Sequence, residues 1–215
     1  MVLTRRRLPH LYLENTPLFL TWHLYGALPH KLYPPPGKQN SGKAFVWMDR
    51  YLDSARTGPL FLRQEAIARL LVESIRYNAE QLRYFDLQAF AIMPNHVHLL
   101  ALPRVSPSRF MQTLKGCTAR QANQLLQRAG QPFWQTESYD HSVRDLLERQ
   151  RIRAYIENNP VKAGLAAHAE EYPWSSANPQ WKAETTLRPP DLASVKVGPS
   201  GKMTRPRMGG KEVVA

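Results

Sequence analysis

Two histidines separated by one residue, His96 and His98, stand in an otherwise apolar run that continues Leu99, Leu100, Ala101, Leu102. Such a run reads as a strand, where side chains alternate between faces. Both imidazoles then point one way and Val97 the other. Two imidazoles on one face can bind a divalent metal in common. By itself such a pair in a strand is a weak motif and is more often structural than a metal site. A second pair is Tyr155 and Asn159, four residues apart in a stretch that reads as helix, so they share a face if the helix reaches Asn159. A tyrosine hydroxyl on a rigid helix can attack a phosphodiester and keep the bond energy as a phosphotyrosine. A nearby metal would stabilise the charge that develops. Asn159 could add a neutral oxygen ligand. The plainer alternative makes Tyr155 a core aromatic and Asn159 a helix cap beside Pro160.

The elements that must position these residues follow from the pattern. Leu18 to Tyr25 is rich in β-formers and follows Pro17, so it reads as a strand. Residues 29 to 43 carry Pro29, Pro34, Pro35, Pro36, Gly37 and Gly42 and read as a loop. Pro59 to Arg83 shows helical spacing of Ile67, Leu70, Leu71 and Ile75. Tyr84 to Met93 and His96 to Leu102 read as a hairpin turning at Met93, Pro94 and Asn95. A second helix is expected over Ser108 to Arg128, and a further strand near 133 to 143. A third helix is expected over Asp145 to Asn158, stopped by Pro160. This order predicts an α+β layer: helices packed on an antiparallel sheet of ferredoxin-like or RRM-like type. From Ala183 the periodicity ends. Residues 1–182 read as one domain and 183–215 as a basic, disordered tail.

The chain of 215 residues is long enough for an adequate core. One cysteine, Cys117, excludes an intramolecular disulfide framework and fits a reducing cytoplasm. No signal peptide and no membrane-length apolar run is read, so a membrane partner is not expected. The net charge of +12 favours a polyanionic partner. Between Arg104 and Lys162, ten Lys/Arg face five Asp/Glu, a net of +5. Arg109, Lys115, Arg120, Arg144, Arg151 and Arg153 are the candidate phosphate contacts. Phe133, Trp134, Tyr139 and Trp174 are candidates for stacking on unpaired bases, and each is at least as well suited to the core. His141 is a candidate polar group near the site, or a hydrogen-bonded surface histidine.

Several ordered motifs carry a resemblance. The run Ala91–Leu100 (AIMPNHVHLL) resembles the HUH metal motif of single-tyrosine transposases, and Tyr155–Gly164 (YIENNPVKAG) resembles their tyrosine helix and its exit. Gly130–Gln135 (GQPFWQ), Ser138–Asp145 (SYDHSVRD), Leu20–Pro29 (LTWHLYGALP) and Tyr172–Ser176 (YPWSS) resemble the REP-associated tyrosine transposase branch. The resemblance implies an HUH nuclease fold and a divalent ion, Mg2+ or Mn2+. Its implied substrate is single-stranded DNA with hairpins, often repetitive extragenic palindromes, cut and joined by a monomer or homodimer. It implies His96 and His98 as metal ligands, Tyr155 as nucleophile and Asn159 as a third ligand. The alternatives are a domesticated hairpin-processing nuclease, or a DNA-binding regulator that has lost catalysis. An RRM-like RNA binder would want exposed aromatics on the central strands, which the histidine strand does not supply.

Overall fold

The computed structural model describes residues 2–5, 9–12, 15–29, 41–54 and 58–183, with side chains described over 15–29, 45–54 and 58–181. The strands are β1 (Val2–Arg5), β2 (Pro9–Tyr12), β3 (Leu18–His23), β4 (Phe85–Ile92), β5 (His96–Pro103) and β6 (Tyr139–Ser142). The helices are α1 (Ser41–Ser54), α2 (Glu65–Glu80), α3 (Pro107–Leu125), α4 (Leu146–Lys162) and the short α5 (Gln180–Ala183). β1 and β2 form a two-stranded antiparallel ribbon. The other four strands make one sheet in the order β4-β5-β3-β6, and every neighbouring pair is antiparallel. Read from β3 through α2, β4, β5, α3 and β6, this is the βαββαβ arrangement expected of a ferredoxin-like sheet.

Alternation along the central strands sorts the two faces. Leu18, Leu20 and Trp22 of β3 join Val97, Leu99 and Ala101 of β5 under α2 and α3, in the larger core. Ile67, Leu71 and Ile75 line the inner stripe of α2. On the opposite face, Phe19, Ala89, Ala91 and Leu100 pack with Phe45 of α1 and Ile156 of α4. The sheet therefore lies between two helical layers, and His96 and His98 belong to the α1/α4 side.

Two boundaries differ from expectation. The stretch expected as loop up to residue 43 already contains the start of α1 at Ser41. Residues 30–40 of that expectation lie outside the described residues, as do 184–215 of the expected tail. The last long helix does not stop before Pro160 but runs through it to Lys162. Proline removes one backbone donor, yet here only the final turn follows, so the loss is one bond at a fraying end. Gly164 at φ +69 then closes the helix, its N–H donating to the Val161 carbonyl. At the other end Asp145 caps the helix, its carboxylate accepting from the Glu148 amide.

Residues 174–176 cover the outer edge of the sheet. Ile92 N–H donates to Trp174 O, and Ser176 N–H donates to Phe90 O. Gly58 marks where the chain leaving α1 meets the end of β3. Its φ is +85, and a Cβ there would stand 2.6 Å from the Gly26 carbonyl oxygen.

Leu99 is wholly buried under α2 and α3, whereas Leu147 on α4 is 55% exposed. Leu99→Ala is therefore expected to lower stability by roughly 2–5 kcal/mol. Leu147→Ala is expected to change it by about 0.5 kcal/mol or less. Urea unfolding followed by circular dichroism checks the contrast, and equal losses would contradict this core assignment.

Candidate active site

The register of the sheet builds the site. Thr21 of β3 is paired with His98, and His23 with His96. All four side chains face α1 and α4, and all four residues are almost wholly buried. The turn residue Asn95 orients His96. Asn95 Nδ2 donates to the Leu52 carbonyl of α1, which leaves Oδ1 facing His96 Nδ1 at 2.7 Å. His96 Nδ1 therefore carries the proton, and its Nε2 presents a lone pair. Thr21 Oγ1 lies 2.8 Å from His98 Nδ1 and can either accept from or donate to it.

The two Nε2 atoms stand 3.0 Å apart. With no cation between them, one Nε2 must carry a proton and donate it to the other. With a cation there, both Nε2 lone pairs would hold it, and His98 would donate its Nδ1–H to Thr21 Oγ1. Burial, followed by the neighbouring His98, holds the His96 pKa well below the usual histidine range. That keeps its imidazole neutral, the form that ligates metals.

Carboxylates approach from α1. Asp49 Oδ1 is 3.3 Å from His98 Nε2 and 3.8 Å from His96 Nε2. Asp53 Oδ1 is 3.6 Å from His96 Nε2. Burial pushes the Asp49 carboxyl up, but the facing His98 and His96 and the Asn159 amide outweigh it, and its pKa ends below the usual value. For Asp53, burial and the neighbouring Asp49 raise the pKa to about 7. Asp49, His96 and His98 form a group able to hold a metal ion, their ligand atoms all within 4.8 Å of one another.

α4 brings the remaining residues. Tyr155 is half-buried, with its ring centroid 5.8 Å from that of His98. Its hydroxyl donates to Asp49 Oδ2. Lys162 Nζ lies 4.6 Å from the Tyr155 ring centroid. Asn159, one turn on from Tyr155, is wholly buried and faces Asp49 without reaching hydrogen-bond geometry. The structure thus brings His96, His98, Tyr155 and Asn159 into one cluster around Asp49.

Asp49 and Asp53 were missed by sequence reading, because α1 itself was not recognised. Phe45, Met48 and Leu52 fall at helical spacing, with Asp49 inside that span and Asp53 directly after it, which is the signal that was available. The candidate DNA-contacting residues scatter more widely. Arg109, Arg120, Arg144, Arg151 and Arg153 are exposed. Arg144 bonds Glu148, Arg153 bonds Glu157, and Arg109 lies over the Tyr84 ring. Lys115 instead anchors a loop, donating to the Gln135 and Thr136 carbonyls. Phe133 and Trp134 are core, and Trp134 Nε1 donates to Thr118. Tyr139 stacks on Phe45, and Trp174 packs against Trp181 and Arg69. His141 bonds Glu148 rather than any group of the site.

Residues 60–159, which include His96, His98, Tyr155 and Asn159, match the family model described as "Transposase IS200 like". Over that segment, just under half of the chain, the sequence is similar to this family. A Haemophilus influenzae protein named as a REP-associated tyrosine transposase is 33% identical over 113 residues. That match covers 46% of this chain and 63% of the relative, so the chain spans less than two thirds of its length. A solved structure of a REP-associated tyrosine transposase bound to a REP hairpin aligns with TM-score 0.46 and 18% identity over 82% of each chain. A Deinococcus radiodurans protein described as a transposase aligns with TM-score 0.39 and 21% identity, over 69% of this chain and 93% of that one. Among the described residues, no helix is long and apolar enough to cross a membrane.

Outer-shell partners fix the tautomer and angle of ligating histidines, and losing one typically costs 10–100-fold in metal affinity. Asn95→Ala, which frees His96 Nδ1 and releases Leu52 O, is expected to weaken Mn2+ binding by about that factor. Isothermal titration checks it, and wild-type affinity in the variant would contradict the orienting role.

Proposed function

We propose that this chain is a transposase that cuts and joins single-stranded DNA through Tyr155, with a divalent ion, Mg2+ or Mn2+, held at His96 and His98. The observation that carries this reading is the meeting at Asp49. One of its oxygens accepts the Tyr155 hydroxyl, and the other lies 3.3 Å from His98 Nε2. Nucleophile and metal-ligating pair are thereby joined in one buried cluster. Asn159, wholly buried beside Asp49, is the further ligand this reading assigns. A divalent ion there supplies positive charge against the scissile phosphate.

The chain's own residues do the rest. α4 fixes the Tyr155 ring between Phe19, Phe45 and His98, which limits the hydroxyl to a narrow range of positions. The Tyr155 oxygen attacks phosphorus and forms a new P–O bond as the strand's own P–O bond breaks. The hydroxyl proton leaves through the carboxylate it already bonds. Rejoining reverses these steps, because the phosphotyrosine retains the bond energy.

The substrate of this reading is single-stranded DNA with hairpins, of the REP type named for the relatives. Arg109, Arg120, Arg144, Arg151 and Arg153 supply positive charge for phosphates, while Lys115, bound to two carbonyls, serves the protein scaffold first. A regulator that had lost catalysis would have no need to keep Tyr155 hydrogen-bonded beside two converging imidazoles.

Tyr155→Phe is expected to abolish cleavage of a hairpin-bearing single strand with Mn2+ while hairpin affinity stays within about threefold, because only the hydroxyl is lost. Gel cleavage assays beside band-shift titrations test this, and persistent cutting by the variant would remove Tyr155 as nucleophile. Affinity for that single strand is also expected to fall steeply with salt. Contact with four to six phosphates gives a slope of about −3 to −4 in log K against log salt. A flat slope would contradict phosphate-led binding.

A further inference from the structure

The family match begins at residue 60, so α1 lies outside it. Yet α1 lies against the histidine pair and is fixed there at several points. Phe45 stacks on Tyr139 at 4.3 Å and packs edge-on to Phe19 at 5.2 Å. Leu52 is wholly buried, and its carbonyl accepts from Asn95, the residue that orients His96. Between and beside these anchors stand Asp49 and Asp53, one helical turn apart and so on one face.

Their buried oxygens lack donors. Asp49 Oδ1 and Asp53 Oδ1 are shielded from solvent and accept no hydrogen bond among the described residues. They lie 3.3 Å from His98 Nε2 and 3.6 Å from His96 Nε2, respectively. The Asn159 amide, wholly buried on the opposite helix, also makes no hydrogen bond among the described residues and faces Asp49. Two carboxylate oxygens and two imidazole nitrogens thus converge, and all are electron-pair donors. Burying such a set without a counter-charge is unfavourable, and one cation compensates it.

We propose that α1 supplies two further donors to the cation site, Asp49 and Asp53, so that the site is built from two imidazoles and two carboxylates. This rests on the reading of His96 and His98 as metal ligands and goes beyond the matched segment. Two carboxylates neutralise a divalent charge and make the donor set harder than histidines alone, which suits Mn2+ or Mg2+. They also place the ion beside the residue that holds Tyr155, because Asp49 Oδ2 accepts its hydroxyl.

The test is Mn2+ binding by the full chain without DNA, measured by isothermal titration and by loss of the free-ion signal in electron paramagnetic resonance. Asp53→Asn and Asp49→Asn keep side-chain volume and remove one charge each. Each is expected to weaken Mn2+ binding tenfold or more, with the thermal melt of the metal-free protein checking that the fold is kept. Affinity within twofold of wild type in both variants overturns the proposal. Should either variant fail to fold, a crystal structure of the wild type soaked with Mn2+ decides the matter. An Asp53 oxygen on the anomalous peak supports the proposal, and an Asp53 turned to solvent overturns it. Mn2+ binding that needs both aspartates in a chain that leaves DNA uncut would keep this inference and remove the DNA reading. DNA cleavage with unchanged Mn2+ affinity in the variants would do the reverse.

Discussion

Two imidazole nitrogens facing each other across 3.0 Å inside a protein are the constraint around which this molecule is arranged. Buried nitrogens at that distance require either a shared proton or a shared cation. The surroundings favour the cation: the groups that approach are carboxylates and an amide, on helices from opposite ends of the site. β5 sets the pair by alternation, β3 adds Thr21 behind one ring, and the hairpin turn adds Asn95 behind the other. α1 and α4 then close over the same face. Asn95 links strand turn and covering helix through one amide, so His96 cannot reorient without disturbing the α1 contact.

This arrangement explains why the sheet has two unlike faces. The face under α2 and α3 is apolar and carries most of the buried aliphatic volume. The face under α1 and α4 is smaller, aromatic at its rim and polar at its centre. Stability comes chiefly from the first, which frees the second to hold unpaired donors that would be costly in a core. Arg149, Arg151 and Arg153 stand exposed on α4, the helix that also bears Tyr155. Charge that attracts a polyanion and the proposed nucleophile therefore share one element.

Much of this was legible in the residues. The alternating apolar run around His96 and His98 determines which face the imidazoles take, and the four-residue step from Tyr155 to Asn159 puts both on one side of α4. The order of strands and helices was enough to anticipate the antiparallel sheet. What was not legible has physical reasons. α1 follows a stretch dense in proline and glycine, and its buried side depends on Phe45 and Leu52, two apolar residues seven apart. Asp49 and Asp53 look like solvated charges until the helix is folded onto the sheet. Pro160 suggested a stop, but the helix tolerates it because only the last turn remains. Phe133 and Trp134 could serve as stacking platforms by type alone, and only packing against Trp22 and Phe61 shows them to be core.

The central claim is that Tyr155 acts as a nucleophile at the histidine pair. It is tested most directly by mapping a covalent DNA adduct. The full chain would be incubated with a hairpin-bearing single-stranded oligonucleotide and Mn2+, denatured, digested with trypsin and analysed by mass spectrometry. The account expects the nucleotide mass on the peptide from Ala154 to Lys162, whose one hydroxyl-bearing residue is Tyr155, and its loss when His98 is replaced by alanine. An adduct on any other peptide, or cut DNA with no adduct at all, would contradict it.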